Sequence, residues 1–159
     1  MNLEGEAKFS MDVNQLWDSL LDEEILKKVI PGCHELVLKE NGEYDVVLKL
    51  GVAAVKGEYI GKVKIEGVDK PNYYILHASG SGSPGHVEAQ MHCRIFEMEG
   101  GSRLEWKCDA VIGGTIASVG NRVLGGVAKF LAGKFFKDIQ KVVKAVSLET
   151  AEDSTVEVE

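Results

Sequence analysis

Little in this chain invites a catalytic, membrane-spanning or secreted reading. It holds three cysteines (Cys33, Cys93, Cys108), three prolines and two tryptophans in 159 residues. Three thiols and no signal-like leader argue against a disulfide framework and point to a reducing, cytoplasmic setting. No apolar run approaches the ~18 residues that a bilayer-spanning helix needs. Residues 110–121 form the longest stretch free of Asp, Glu, Lys, Arg and His, and it is too short. Basic residues are not in excess either: 18 stand against 25 acidic ones, for a net charge of −7, which argues against a dedicated nucleic-acid binder. Five of the acids (Glu149, Glu152, Asp153, Glu157, Glu159) lie in residues 147–159 with no basic neighbour. That stretch has little to bury and is expected to be a disordered tail. Residues 1–146 then form a single domain.

Catalytic and metal signatures are also missing. Neither G-x-S-x-G nor H-E-x-x-H occurs. The four histidines are scattered, and His77, His86 and His92 fall opposite the apolar residues of their segments. A zinc site needs about four ligands, and Cys93 and Cys108 have no such company. We therefore expect no catalytic residue, no metal and no cofactor. The run Gly80-Ser-Gly-Ser-Pro-Gly85 has the spacing G-x-G-x-x-G. A dinucleotide fingerprint requires a helix next, whereas an alternating strand pattern follows here, so a plain turn is the better reading.

What is present is periodicity. Leu3, Gly5, Ala7 and Phe9 alternate with charged residues, as in a half-buried strand. Asp12 and Gln15 resemble a capping box ahead of a short helix with Val13, Leu16, Trp17, Leu20 and Leu21 on one face. Asp22 starts a second, which Pro31-Gly32 stops. From residue 35 to 111 the period is two: six strands follow, separated by turns such as Asn41-Gly42 and 99–102. Apolar residues then recur in steps of three and four from Thr115 to Val146, including Ile116, Gly120, Val123, Val127, Leu131, Phe135 and Ile139. That spacing predicts one long amphipathic helix, with Lys134, Lys137, Lys141 and Lys144 opposite. A second stripe (Ala117, Leu124, Ala128, Phe136, Val143) widens its apolar face. The order is α+β: a strand, two short helices, six more strands in an antiparallel meander, then a long helix covering one sheet face.

If the turn after Met98 is symmetric about Gly100-Gly101, Cys93 and Cys108 face each other directly. The pair then reads as two buried thiols behaving as small hydrophobes, a disulfide being conditional on geometry. The inner sheet face carries unusually small residues: Gly61, Ala78, Gly80, Gly82 and Ala89. The long helix carries Gly120, Gly125, Gly126 and Gly133, each costing on the order of 1 kcal/mol relative to alanine in a helix interior. Two readings stay open. Either backbones approach closely and fill the core, or a cavity lies between helix and sheet. In the second case its walls are Trp17 on the first helix, Tyr44 and Leu48, Tyr59 and Gly61, Tyr74, Leu76, Ala78 and Gly80, Ala89 and Met91, and Trp106 on successive strands. The helix adds Val123, Val127, Phe130 and Leu131. A gate is expected at residues 51–57 or at the second short helix.

Several runs together resemble one family. They are Leu16-Trp17-Asp18, Ile30-Pro31-Gly32-Cys33, Val55-Lys56-Gly57 with Gly61-Lys62-Val63, and the Gly80/Gly82 strand. Gly101-Ser102-Arg103-Leu104 and Gly113-Gly114 through Val119-Gly120-Asn121-Arg122 complete the set. The sequence resembles the CoxG family of carbon monoxide dehydrogenase subunits, of the START-like helix-grip (SRPBCC) superfamily, over about residues 1–140. The resemblance implies a seven-stranded sheet wrapped around the C-terminal helix with a hydrophobic ligand cavity between them. It also implies a non-enzymatic accessory role beside a molybdenum-containing CO dehydrogenase-type enzyme, and association of that enzyme with the membrane. The ligand would be lipid-like or quinone-like, and any membrane contact by this chain peripheral. A docking or maturation module without ligand, or an enzyme on a hydrophobic substrate, are the alternatives.

Overall fold

In the computed structural model, each change of sequence period marks a change of element. The strands are β1 (Asn2–Phe9), β2 (Cys33–Leu38), β3 (Glu43–Leu50), β4 (Gly57–Asp69), β5 (Tyr73–Gly82), β6 (Gly85–Met98) and β7 (Gly101–Gly113). Two short helices, α1 (Val13–Leu20) and α2 (Glu23–Val29), follow β1, and α3 (Asn121–Val158) ends the chain. The structure describes the backbone of residues 1–158 and the side chains of residues 1–144. The backbone of α3 continues past the expected helix end at Val146, and the expectation of a disordered tail at 147–159 falls on residues whose side chains lie outside the described ones.

The seven strands form one antiparallel sheet in the order β1-β7-β6-β5-β4-β3-β2. Only β1 leaves chain order, pairing with β7 from Asn2↔Asp109 to Phe9↔Ser102. Short connections impose the meander, since a tight turn can join only antiparallel neighbours. One face of the sheet is charged, and the other packs on the helices.

The two short helices start as their caps dictate. Asp12 Oδ1 accepts the Gln15 backbone N–H at 2.8 Å, and Asp22 Oδ1 accepts that of Ile25 at 3.1 Å. The α1 residues Leu16, Trp17 and Leu20 are buried and join Phe9, Tyr74, Cys93, Ile95, Leu104, Phe136, Ile139 and Val143 in the main core. Ser102 Oγ, itself buried, donates to the Met11 carbonyl at 2.9 Å and ties the start of β7 to the approach to α1.

Two expectations need correction. The final helix begins at Asn121, not Thr115: residues Thr115–Val119 form a separate 3-10 turn, and Gly120, at φ +97°, breaks the path between them. The β6–β7 hairpin turns on Glu99-Gly100, with Met98↔Gly101 as its last pair. Cys93 therefore faces Trp106 and Met91 faces Cys108, so the two thiols are diagonal neighbours, not a direct pair. Gly100, at φ +78°, suits a turn position that a Cβ would strain. The turn expected at Asn41-Gly42 joins β2 to β3, with Gly42 at φ +83°. Its three-residue loop is closed by Lys39 N–H donating to the Glu43 carbonyl at 2.8 Å.

Candidate functional site: two apolar chambers between sheet and helix

Helix α3 lies across the inner face of the sheet, and space remains on both sides of Leu131. The outer chamber, about 330 Å³, is floored by the small residues of four neighbouring strands: Gly61 on β4, Ala78 and Gly80 on β5, Ala89 on β6 and Ala110 on β7. Leu48, Val55 and Tyr59 form one wall, and Leu124, Val127, Ala128 and Leu131 form the roof. Ile116, in the 3-10 turn before α3, closes part of one end. The inner chamber, about 280 Å³, lies further along the same strands, where the side chains become large: Tyr44, Ile65, Tyr74, Leu76 and Met91. Leu20 and Leu26 of the short helices and Ala132, Phe135 and Phe136 of α3 complete it.

The register explains why the space is there. Val46 pairs with Gly61, Gly61 with Gly80 and Gly80 with Val87, in a continuous cross-strand row. A row with two glycines at its centre cannot reach a helix lying above it. The two glycines differ in cause. A Cβ on Gly61 would come within 2.2 Å of the Ser79 carbonyl oxygen, so close backbone approach requires glycine there. A Cβ on Gly80 would meet nothing nearer than 3.9 Å, so there the missing side chain is simply room.

Chemically the outer chamber is inert. Besides Tyr59 and Cys108, the polar side chains that border it are Lys62 and Ser79, both exposed, on positions that alternate with the inward-facing ones. The Tyr59 hydroxyl is already used, donating to the Val55 carbonyl at 2.7 Å, and burial pushes its pKa up. Cys108, beside this chamber, is also pushed up, by burial first and then by Asp109. Deeper in the core the Cys93 thiol is pushed up to about 11 by burial. Tyr74, fully enclosed, is raised well above its ordinary value by burial and by Cys93 beside it. Tyr44, 8% exposed, lines the inner chamber. Burial raises its pKa, with Glu23 and Asp22 adding to the effect.

The structure brings most of the expected lining residues together and leaves four out. Leu48, Tyr59, Gly61, Ala78, Gly80, Ala89, Val127 and Leu131 line the outer chamber. Tyr44, Tyr74, Leu76 and Met91 line the inner one. Trp17 is core instead, packed edge-on against Tyr74 with ring centroids 5.6 Å apart. Trp106 lies over Gly5, where a Cβ would sit 2.6 Å from its ring. Val123 and Phe130 face solvent, 47% and 61% exposed. The helix phase accounts for both. Leu124, Phe136 and Val143 of the second stripe are buried together with Ile139 of the first, so the inward face falls between the two stripes, because the phase cannot be carried through Gly120 from Ile116. The helix glycines also miss the chambers: Gly126 and Gly133 are exposed, and Gly125 packs beside Leu3. Residues missed by sequence reasoning include Val55 and Ile112 of the outer chamber. Alternation marks Ile112 as inward while Val55 lies in a 3-10 turn before β4, and nothing in the sequence marks either as bordering a void.

The charged outer face of the sheet carries the histidines. His77 Nε2 lies 2.9 Å from Glu66 Oε2, and the Tyr73 hydroxyl meets His92 Nδ1 at 2.5 Å. Neither pair opens into the chambers. Among the described residues no group of three or more His, Cys, Asp or Glu could hold a metal ion.

Comparison with known proteins gives a family and a fold. The family model for CoxG, a carbon monoxide dehydrogenase subunit, matches residues 5–144. A conserved protein from Geobacillus kaustophilus is similar in structure with a TM-score of 0.88 and 36% identity, over 91% of this chain and 96% of that one. Ara h 8.0201 shares the fold at 15% identity, with a TM-score of 0.67, over 91% and 98% of the two chains. So does protein Ms6760 from Mycobacterium smegmatis, at 18% identity and 0.67, over 91% and 92%. No match is found among curated proteins.

Proposed function

This chain belongs to the CoxG family of carbon monoxide dehydrogenase subunits, within the START-like helix-grip superfamily, and from that premise we propose that it is a non-enzymatic carrier of a neutral hydrophobic molecule, lipid-like or quinone-like. The observation that carries the reading is the pair of apolar chambers under α3, with no charged side chain turned into either. Transfer of apolar surface out of water drives occupancy, at roughly 25 cal/mol per Å² buried. An ionised head group would lose its hydration there with nothing to replace it. A carbonyl or hydroxyl oxygen would find Tyr44 at the inner end.

The accessory role extends to a CO dehydrogenase-type enzyme and to the membrane surface. No helix among the described residues is long and apolar enough to cross a membrane, and the contact we infer is peripheral. Its face is on α3, where Val123 and Phe130, seven residues apart on one side, stand exposed beside Arg122, Lys129 and Lys137. Apolar side chains flanked by basic ones suit an interface of anionic lipid.

The test is displacement of a fluorescent naphthylamine probe by a long-chain quinone and by a fatty acid at a pH where its carboxyl is ionised. The quinone should displace the probe and the ionised acid should do so poorly. Equal displacement by both, or by neither, would reject a neutral-ligand carrier.

A further inference from the structure

The two chambers meet at two residues, Val63 and Leu131, which line both. Every element that crosses the site changes chamber at this line. On α3, Val127 and Ala128 lie one turn before Leu131 and Leu124 two turns before it, and all three line the outer chamber. Ala132, Phe135 and Phe136, in the turn after it, line the inner one. On β4, Gly61 belongs to the outer chamber and Ile65 to the inner, with Val63 between them on the same face. On β5, Ala78 and Gly80 are outer while Tyr74 and Leu76 are inner; on β6, Ala89 is outer and Met91 inner.

We propose that Leu131 and Val63 form a septum across one ligand site, and that Leu131 sets the length of the apolar chain the protein accepts. The proposal rests on the carrier reading above and deepens it by naming the residue that determines specificity. The two sides of the septum are unequal. Val63 is β-branched, stiff at χ1, and held in a central strand between β3 and β5. Leu131 is γ-branched and stands on the helix; the two residues are equally half-buried, so the difference lies in branching and in the element that carries them. The septum is therefore a fixed post on the sheet and an adjustable side chain on the helix. A chain that fills the outer chamber stops at Leu131; a longer one must displace it to reach Tyr44.

A series of straight-chain n-alkanols, displacing a bound naphthylamine probe, tests this. Each added methylene buried in the outer chamber should tighten binding about fourfold, from ~0.8 kcal/mol per buried CH₂. In the wild type the gain should break at one chain length. Leu131→Ala should move the break to longer chains, because the chambers become continuous. Val63→Ala opens the same line from the sheet and should move it in the same direction. The double change Leu131→Ala with Ala132→Phe refills the inner chamber and should bring the break back. Thermal unfolding of each variant shows that it is folded. A wild-type series that tightens without a break, or a break that stays put in both Leu131→Ala and Val63→Ala, overturns the septum while leaving the carrier reading intact. Failure of every alkanol to bind the wild type removes both.

Discussion

Gly80 and Gly61 face each other across β4 and β5, yet adding a side chain to each should have opposite consequences. Gly80→Leu places a side chain whose Cβ meets the Ile60 carbonyl oxygen and a Val87 methyl at 3.9 Å, an ordinary contact distance. Burying a leucine side chain contributes about 1.5–3 kcal/mol, and removing a glycine from a strand interior adds about 0.5 kcal/mol or more. Incomplete fit in a chamber of about 330 Å³ reduces this, so a net gain of about 2 kcal/mol is expected. For a domain of this size each kcal/mol moves Tm by roughly 2–4 °C, so the rise should be about 4–8 °C. Gly61→Ala puts a Cβ 2.2 Å from the Ser79 carbonyl oxygen, a backbone atom that cannot swing aside, and should cost on the order of 1–3 kcal/mol. The assay is thermal unfolding of protein stripped of bound lipid, followed by circular dichroism, with probe binding measured on the same samples. Gly80→Leu should bind probe poorly despite its higher Tm. A fall in Tm for Gly80→Leu would mean the space is already filled, and undiminished probe binding would place the ligand elsewhere.

Other consequences follow from burial and charge. Ile139→Ala empties a fully buried position on α3 and should cost about 2–5 kcal/mol in chemical denaturation. Phe130→Glu, at a 61% exposed site, should stay within about 0.5 kcal/mol of wild type in stability. It should, however, lose co-sedimentation with phosphatidylserine vesicles; retained co-sedimentation would move the membrane face off α3. The Cys93 thiol, pushed up to about 11 in the folded protein against an ordinary value of 9.0, stays protonated where the unfolded chain ionises. Its contribution is complete below about pH 9 and lost as pH rises through about 11, on the order of 2–3 kcal/mol. Urea titrations across that window should show the decline, and Cys93→Ala should reduce it, leaving the part that Tyr74 contributes in the same direction. Asp12→Ala, which removes the acceptor for the Gln15 N–H, should cost about 1 kcal/mol without changing probe binding.

Strand and helix order was legible in the sequence because side-chain alternation and helical spacing are local. Parity carried further than register did. Shifting the β6–β7 pairing by two residues leaves Cys93, Ile95, Trp106 and Cys108 on the inner face while changing every partner. That is why the facing of the cysteines could be read and their pairing could not. The lining of the chambers was readable where a small residue sat on an inward position, as at Ala78, Gly80 and Ala89. It failed where size alone was the guide. Trp17 and Trp106 are large and inward, but they pack against Tyr74 and Gly5 and so belong to the solid part of the core. The phase of α3 was the other failure, since two adjacent stripes of apolar residues both fit a 3.6-residue period and a break at Gly120 disconnects the helix from Ile116. Val123 and Phe130 moved from the cavity to the surface as a result, where they motivate the membrane-contact face. The sheet, not the helix glycines, holds the signal for space.

Native mass spectrometry of the protein after exposure to an equimolar mixture of a long-chain quinone and a fatty acid of matched length tests the central claim most directly. One quinone per chain should be retained by the wild type and lost in Gly80→Leu, with the ionised fatty acid absent from both. A wild-type spectrum with no retained molecule, or retention unchanged in Gly80→Leu, would contradict a carrier whose ligand lies between this sheet and α3.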